Sequence, residues 1–107
     1  MERVGFLLKV KEKFIKEYKE HHLDVWPAMK SALTKHGWKN YSLFMRSDGL
    51  MFGYFEATKS FCDSLKGMST EEINKEWQDL MSTYFEIPEG SAADKSMIEL
   101  EEVFHLD

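Results

Sequence analysis

The chain has 107 residues, a formal net charge of −5, 43% hydrophobic and 14% aromatic residues, six glycines, two prolines and one cysteine. That length makes a single domain over residues 1–107 and excludes a two-domain enzyme, while leaving enough chain to bury about two thirds of its extended surface. The composition excludes disordered, collagen-like and low-complexity architectures, and the acidic balance speaks against nucleic acid as a partner.

Cys62 cannot form an internal disulfide, which fits a reducing compartment, and it reads as a small apolar filler. Gly5-Phe6-Leu7-Leu8 is too brief for a signal peptide, and no apolar run approaches the ~20 residues of a membrane span, so a soluble cytoplasmic protein with no membrane partner is expected. Charge is uneven: ten Lys or Arg against five Asp or Glu in residues 1–46, and four against fourteen in residues 47–107. The early lysines read as the solvated side of a strand and a helix.

Arg3 to Val10 alternates Val4, Phe6, Leu8 and Val10 with Gly5, Leu7 and Lys9, a strand that is apolar on both faces. Phe14, Ile15, Tyr18, His22 and Trp26 then recur at helical spacing, with lysines and glutamates opposite. Pro27 restricts the residue before it, so this helix breaks near Leu23–Trp26 and resumes from Pro27 to His36, with Gly37 as its stop. Asn40–Arg46 and Leu50–Ala57 flank Ser47-Asp48-Gly49 and read as a β-hairpin. Thr58–Gly67 is a short helix, and Ser69 with Glu72 forms a capping box that opens a longer one bearing Ile73, Trp77, Leu80, Met81 and Tyr84. Pro88–Ser96 is a polar loop; Glu99–Leu106 is a last strand with a bulge at Glu101-Glu102.

The order β, broken helix, β, β, broken helix, β is the split βαβ pattern: an α+β, ferredoxin-like four-stranded antiparallel sheet with helices on one face. Its strands are apolar on both faces, with Tyr41, Leu43 and Met45 against Phe44, and Leu50, Phe52 and Tyr54 against Met51 and Phe55. A sheet open to water alternates more cleanly, so a second copy is expected to cover the free face and make a homodimer.

The densest cluster of reactive side chains is Tyr18–Pro27, YKEHHLDVWP. Tyr18 and His22, four apart, share the apolar helix face, while His21 is expected to face solvent. A histidine there, just before a break, reaches either a cavity, where its ordinary pKa of ~6.5 suits proton transfer, or a backbone carbonyl in the core. The four histidines form no HExxH or i, i+4 pair, there is no CxxC, and no metal is expected. GxSxG elbows, glycine-rich phosphate loops and dinucleotide fingerprints are absent, which leaves proton shuttling or plain binding in an aromatic-lined pocket, without a cofactor. Trp26, Trp38, Trp77 and the tyrosines supply flat apolar faces with polar tips, suited to a sugar ring.

The segments YKEHHLDVWP (18–27), HGWKNY (36–41) and EEVFHL (101–106) resemble the L-rhamnose mutarotases, and the similarity runs end to end. The resemblance implies a ferredoxin-like dimeric α/β barrel that interconverts the α and β anomers of L-rhamnose, or of a related deoxy sugar, without metal or organic cofactor. It assigns the proton-donating histidine to His22, and sugar contacts to Tyr18, Tyr41 and Trp77. Where the family has a tryptophan before Trp77, this chain has Glu76, which either adds a carboxylate to the sugar site or points to solvent. The catalytic base stays open among a tyrosine, Glu76, a carboxylate of the last strand and water. The competing reading is a dimeric α/β-barrel ligand-binding protein or cofactor-free monooxygenase, which would not need hydroxyls converging on His22.

Overall fold

A computed structural model describes residues 1–86 and 97–107. β1 (Glu2–Lys9) leads through a 3-10 turn at Glu12–Phe14 into α1 (Ile15–Leu23) and α2 (Pro27–Lys35); β2 (Trp38–Met45) and β3 (Leu50–Ala57) form a hairpin; α3 (Phe61–Ser69) and α4 (Glu72–Met81) precede β4 (Ile98–Leu100). The sheet order is β2-β3-β1-β4, with every pairing antiparallel, as the ferredoxin-like reading requires.

The helix break falls where Pro27 dictates. Asp24 and Trp26 leave helical geometry, and Pro27 then starts α2 at a position whose N–H has no helical partner to lose. Gly37 ends α2 with φ +81°, and a Cβ at that position would run into the Thr58 side chain. Gly53 serves a different purpose: the tip of the Phe6 ring occupies the space that any Cβ would take.

The hairpin carries one irregularity that the alternation of the sequence does not announce. Lys39 pairs with Glu56 but Ser42 pairs with Tyr54, so β2 has one extra residue there. Asn40 absorbs it in the left-handed region at φ +50°, and its side-chain amide donates to Glu56 at 2.9 Å. An uninterrupted strand would put Trp38 and Tyr41 on opposite faces; the bulge puts both on the helix side.

Three sequence expectations need correction. Ser69 does not cap α4: it is the last residue of α3, and its hydroxyl donates back to the Lys66 carbonyl at 2.6 Å, while extended Glu71 precedes α4. The last strand is Ile98–Leu100 rather than Glu99–Leu106, and Glu101-Glu102 lies beyond it, so the expected bulge is absent; Arg3 instead holds Glu102 through two bonds of 2.9 Å. Cys62, in the first turn of α3, is exposed rather than a core filler. The expected Pro88–Ser96 loop lies outside the described residues.

Strand alternation divides the sheet cleanly. Val4, Phe6, Leu8, Met51, Phe55 and Ala57 are sealed against Tyr18, Met29, Ala32, Met68, Trp77 and Met81 from the helices. On the opposite face Phe44 is 62% exposed, Phe52 39% and Ile98 62%, and among the described residues no helix packs over them. Among the described residues no helix is long and apolar enough to cross a membrane.

Candidate active site

α2 and α4 lie side by side on the sheet, and beneath them the β2 edge leaves a cleft of about 490 Å³, within the ~300–1,000 Å³ typical of small-molecule sites. His22 enters it from the end of α1; Met29 and Leu33 come from α2. Trp38, Tyr41 and Leu43 come from β2, and Asn74, Trp77 and Gln78 from α4. Both tryptophan and tyrosine of β2 reach the cleft because of the Asn40 bulge.

The state of His22 follows from its neighbours. Its ring stacks on Tyr18 at 4.2 Å between centroids, and Nδ1 lies 2.9 Å from the Tyr18 carbonyl oxygen. A carbonyl oxygen only accepts, so Nδ1 carries the proton, and in the neutral ring Nε2 is a bare acceptor. Burial pushes the His22 pKa below its ordinary value, the bond to the Tyr18 carbonyl opposes that shift, and the neighbouring His21 adds to it. The imidazole is therefore neutral at pH 7. Trp77 stands roughly perpendicular to the His22 ring at 5.4 Å and to Trp26 at 5.0 Å, so the histidine sits between two aromatic rings, Tyr18 and Trp77.

Of the five residues singled out from sequence, His22, Tyr41 and Trp77 meet in the cleft. Tyr18 stands behind His22: it is buried, and its hydroxyl reaches Met51 Sδ at 3.3 Å rather than lining the cleft. Burial raises the Tyr41 pKa above the usual phenol range; burial, followed by the proximity of Tyr41, does the same for Tyr18. Both phenols thus stay protonated at neutral pH. Glu76 lies on the exposed side of α4 and does not line the cleft. His21 is half-buried, its Nε2 3.2 Å from the Tyr84 hydroxyl, rather than turned to solvent.

The sequence reading missed Asn74 and Gln78. They sit at i and i+4 on α4, with Gln78 Nε2 donating to Asn74 Oδ1 at 3.3 Å. Polar residues on an amphipathic helix read as its solvent side, and the only available signal was that this pair brackets Trp77 on the inward face. Among the described residues no group of three His, Cys, Asp or Glu side chains is arranged to hold a metal ion.

A histidine that accepts through one fixed nitrogen, phenols held protonated and an indole wall suit proton transfer on a neutral polyhydroxylated ring. Known proteins carry the same frame. A family model described as L-rhamnose mutarotase matches residues 3–106. An L-rhamnose mutarotase of Oceanobacillus iheyensis is 33% identical over 110 residues, spanning all of both chains. One of Flavobacterium johnsoniae is 35% identical over 107 residues, 98% of this chain and 95% of that one. The crystal structure of an L-rhamnose mutarotase from Formosa agariphila superposes with a TM-score of 0.82 at 28% identity, over the whole of both chains. On both sequence and fold, this chain belongs to the L-rhamnose mutarotase family.

Proposed function

We propose that this protein is an isomerase that interconverts the α and β anomers of L-rhamnose, or of a closely related deoxy sugar, in the cleft around His22. The observation that carries the reading is the neutral His22 ring, with Nδ1 tied to the Tyr18 carbonyl and Nε2 left as the only nitrogen able to take a proton. Full-length family membership supplies the sugar.

Opening a cyclic hemiacetal removes the proton of the anomeric hydroxyl and delivers one to the ring oxygen; the C1–O5 bond breaks and C1 becomes an aldehyde. Rotation about C1–C2 and closure on the other carbonyl face give the second anomer. His22 Nε2 takes the anomeric proton on opening and, as the imidazolium, returns it to the new anomeric oxygen on closing. The donor role that the resemblance assigns to His22 is then the second half of its cycle. The Tyr41 hydroxyl, protonated at neutral pH because burial raises its pKa, gives its proton to the ring oxygen as the C1–O5 bond breaks and takes it back from that hydroxyl on closing. Tyr18 acts through His22, stacking on its ring and presenting the carbonyl that fixes its tautomer. Trp77 offers its face to the C–H surface of the sugar. General acid–base catalysis of this kind is worth about 10²–10⁴-fold.

The working unit in this reading is a homodimer, a dimeric α/β barrel in which the apolar outer faces of two sheets meet around Phe44, Phe52 and Ile98. Its setting is the cytoplasm, where exposed Cys62 stays reduced. Saturation-transfer NMR on equilibrated L-rhamnose measures exchange between the two anomeric protons directly. The protein should accelerate that exchange at neutral pH; an unchanged rate across L-rhamnose and related deoxy sugars would refute the activity.

A further inference from the structure

We propose that Gln78 is a specificity-determining residue, whose side-chain carbonyl oxygen accepts a hydrogen bond from one ring hydroxyl of the sugar that does not react. The inference rests on the mutarotase reading and adds to it the group that tells a hydroxyl from a hydrogen.

Gln78 Oε1 is shielded from water and meets no donor from the protein, and it is the one such side-chain atom found among the described residues. A buried acceptor without a partner is costly, and folded chains rarely leave one except where a ligand or a function accounts for it. Its location supplies the account. Gln78 lines the cleft one residue after Trp77, on the same helix that carries the wall facing His22. The other end of its amide is committed, since Nε2 donates to Asn74 Oδ1 at 3.3 Å, and Asn74 lines the cleft too. With that bond in place, the carbonyl end of the Gln78 amide is the one left over. The cleft therefore offers an acceptor that needs a donor, and a monosaccharide is a ring of donors.

A bond to a spectator hydroxyl is made equally before and during ring opening, so its loss raises KM and leaves kcat in place. A role in holding α4 together would instead lower kcat as well as raise KM, through His22 and Trp77. Anomer exchange should be followed by NMR over a range of concentrations for L-rhamnose and its 2-, 3- and 4-deoxy analogues, each referred to its uncatalysed rate. With the wild-type protein, one analogue should show a KM raised about fivefold or more. Gln78→Met, which keeps the length of the side chain and removes the acceptor, should raise KM for L-rhamnose by a similar factor and abolish the discrimination against that analogue. Gln78→Glu, which keeps an acceptor, should retain the preference. Wild type that treats all three analogues like L-rhamnose overturns the assignment without any substitution, so it stays testable even if a variant does not fold. Gln78→Met with wild-type KM and preference overturns it as well, and so does Gln78→Glu with the full Gln78→Met penalty, which would trace the effect to the bond with Asn74. Wild type that accelerates none of the four exchanges sinks the mutarotase reading itself, and this assignment falls with it.

Discussion

On the helix side of the sheet Val4, Phe6, Leu8, Met51 and Phe55 are sealed; on the opposite side Phe44 and Phe52 stack at 6.4 Å and remain open, although both sets alternate along the same strands. The faces are built from similar residues, and what separates them is what covers them. Two broken helices cover one face and leave a cleft at its β2 edge. Among the described residues no helix covers the other. Burying a side chain such as Phe52 is worth about 1.5–3 kcal/mol, so an open apolar face is a driving force held for association. In the proposed function the chemistry belongs to the covered face and the assembly to the open one.

That division is broken most severely if a change on the covered face leaves the chemistry intact. His22→Ala should cut anomer exchange by about 10²–10⁴-fold, with circular dichroism and sedimentation unchanged. His21→Ala is the control on the adjacent residue. It loses its contacts with the Tyr84 ring and hydroxyl outside the cleft and the smallest of the influences on the His22 pKa, and should keep most of the activity.

The open face is tested by Phe52→Asp. A charge in the middle of a two-fold apolar interface is met by its own copy, and loss of a well-packed aromatic anchor costs about 2 kcal/mol or more, roughly a 30-fold weaker dimer. Sedimentation velocity over a dilution series should show monomer at concentrations where the wild type is dimeric. If wild type itself sediments as a monomer at micromolar concentration, the open face has another purpose and the dimer is wrong.

A smaller effect belongs to pH. The His22 pKa is depressed by burial, and its neutral form is the one that accepts the anomeric proton. The rate should therefore fall on acidification with a midpoint below the ordinary histidine value of ~6.5, as Nε2 is occupied. The same shift acts on stability. Below ~pH 6.5 the unfolded chain binds a proton at this residue that the folded chain does not, so folding weakens as pH falls until the folded pKa is passed. A rate whose midpoint lies above ~pH 6.5 would contradict the buried, neutral His22.

Which features the sequence disclosed follows from how local their causes are. Pro27 and Gly37 act through their own backbone restrictions, and the helix break and the stop of α2 lie where those residues put them. The Tyr18–His22 stack needs only the i, i+4 rule, and it is present at 4.2 Å. The failures have tertiary causes. Ser69 and Glu72 have capping-box spacing, but α3 runs on through Ser69, and Glu71 is drawn off to His36 at 2.6 Å and Lys35 at 3.2 Å. The tail alternates like a strand, yet only Ile98–Leu100 finds β1 to pair with, while Val103, Phe104 and Leu106 stay exposed. The Asn40 bulge is a matter of register with Glu56 and Tyr54, and no pattern within β2 alone reveals it; without that bulge Trp38 and Tyr41 could not both line the cleft.

Glu76 is where a substitution should do least. The resemblance puts a sugar-contacting tryptophan at this position, and the sequence leaves open whether the carboxylate replaces it in the site. In the structure Glu76 is exposed on α4, while Trp77 beside it is buried against His22 and Trp26. At about 100° per residue Asn74, Trp77 and Gln78 share one arc of α4 that lines the cleft, and Glu76 falls on the side of the helix away from that arc. Glu76→Trp should then leave KM and sugar preference unchanged within about twofold and, as an exposed change, shift stability by no more than about 0.5 kcal/mol. A clear change in sugar preference would mean that α4 turns or the cleft extends around it when sugar is bound, and would bring the exposed side of the helix into the site that the covered face otherwise holds alone.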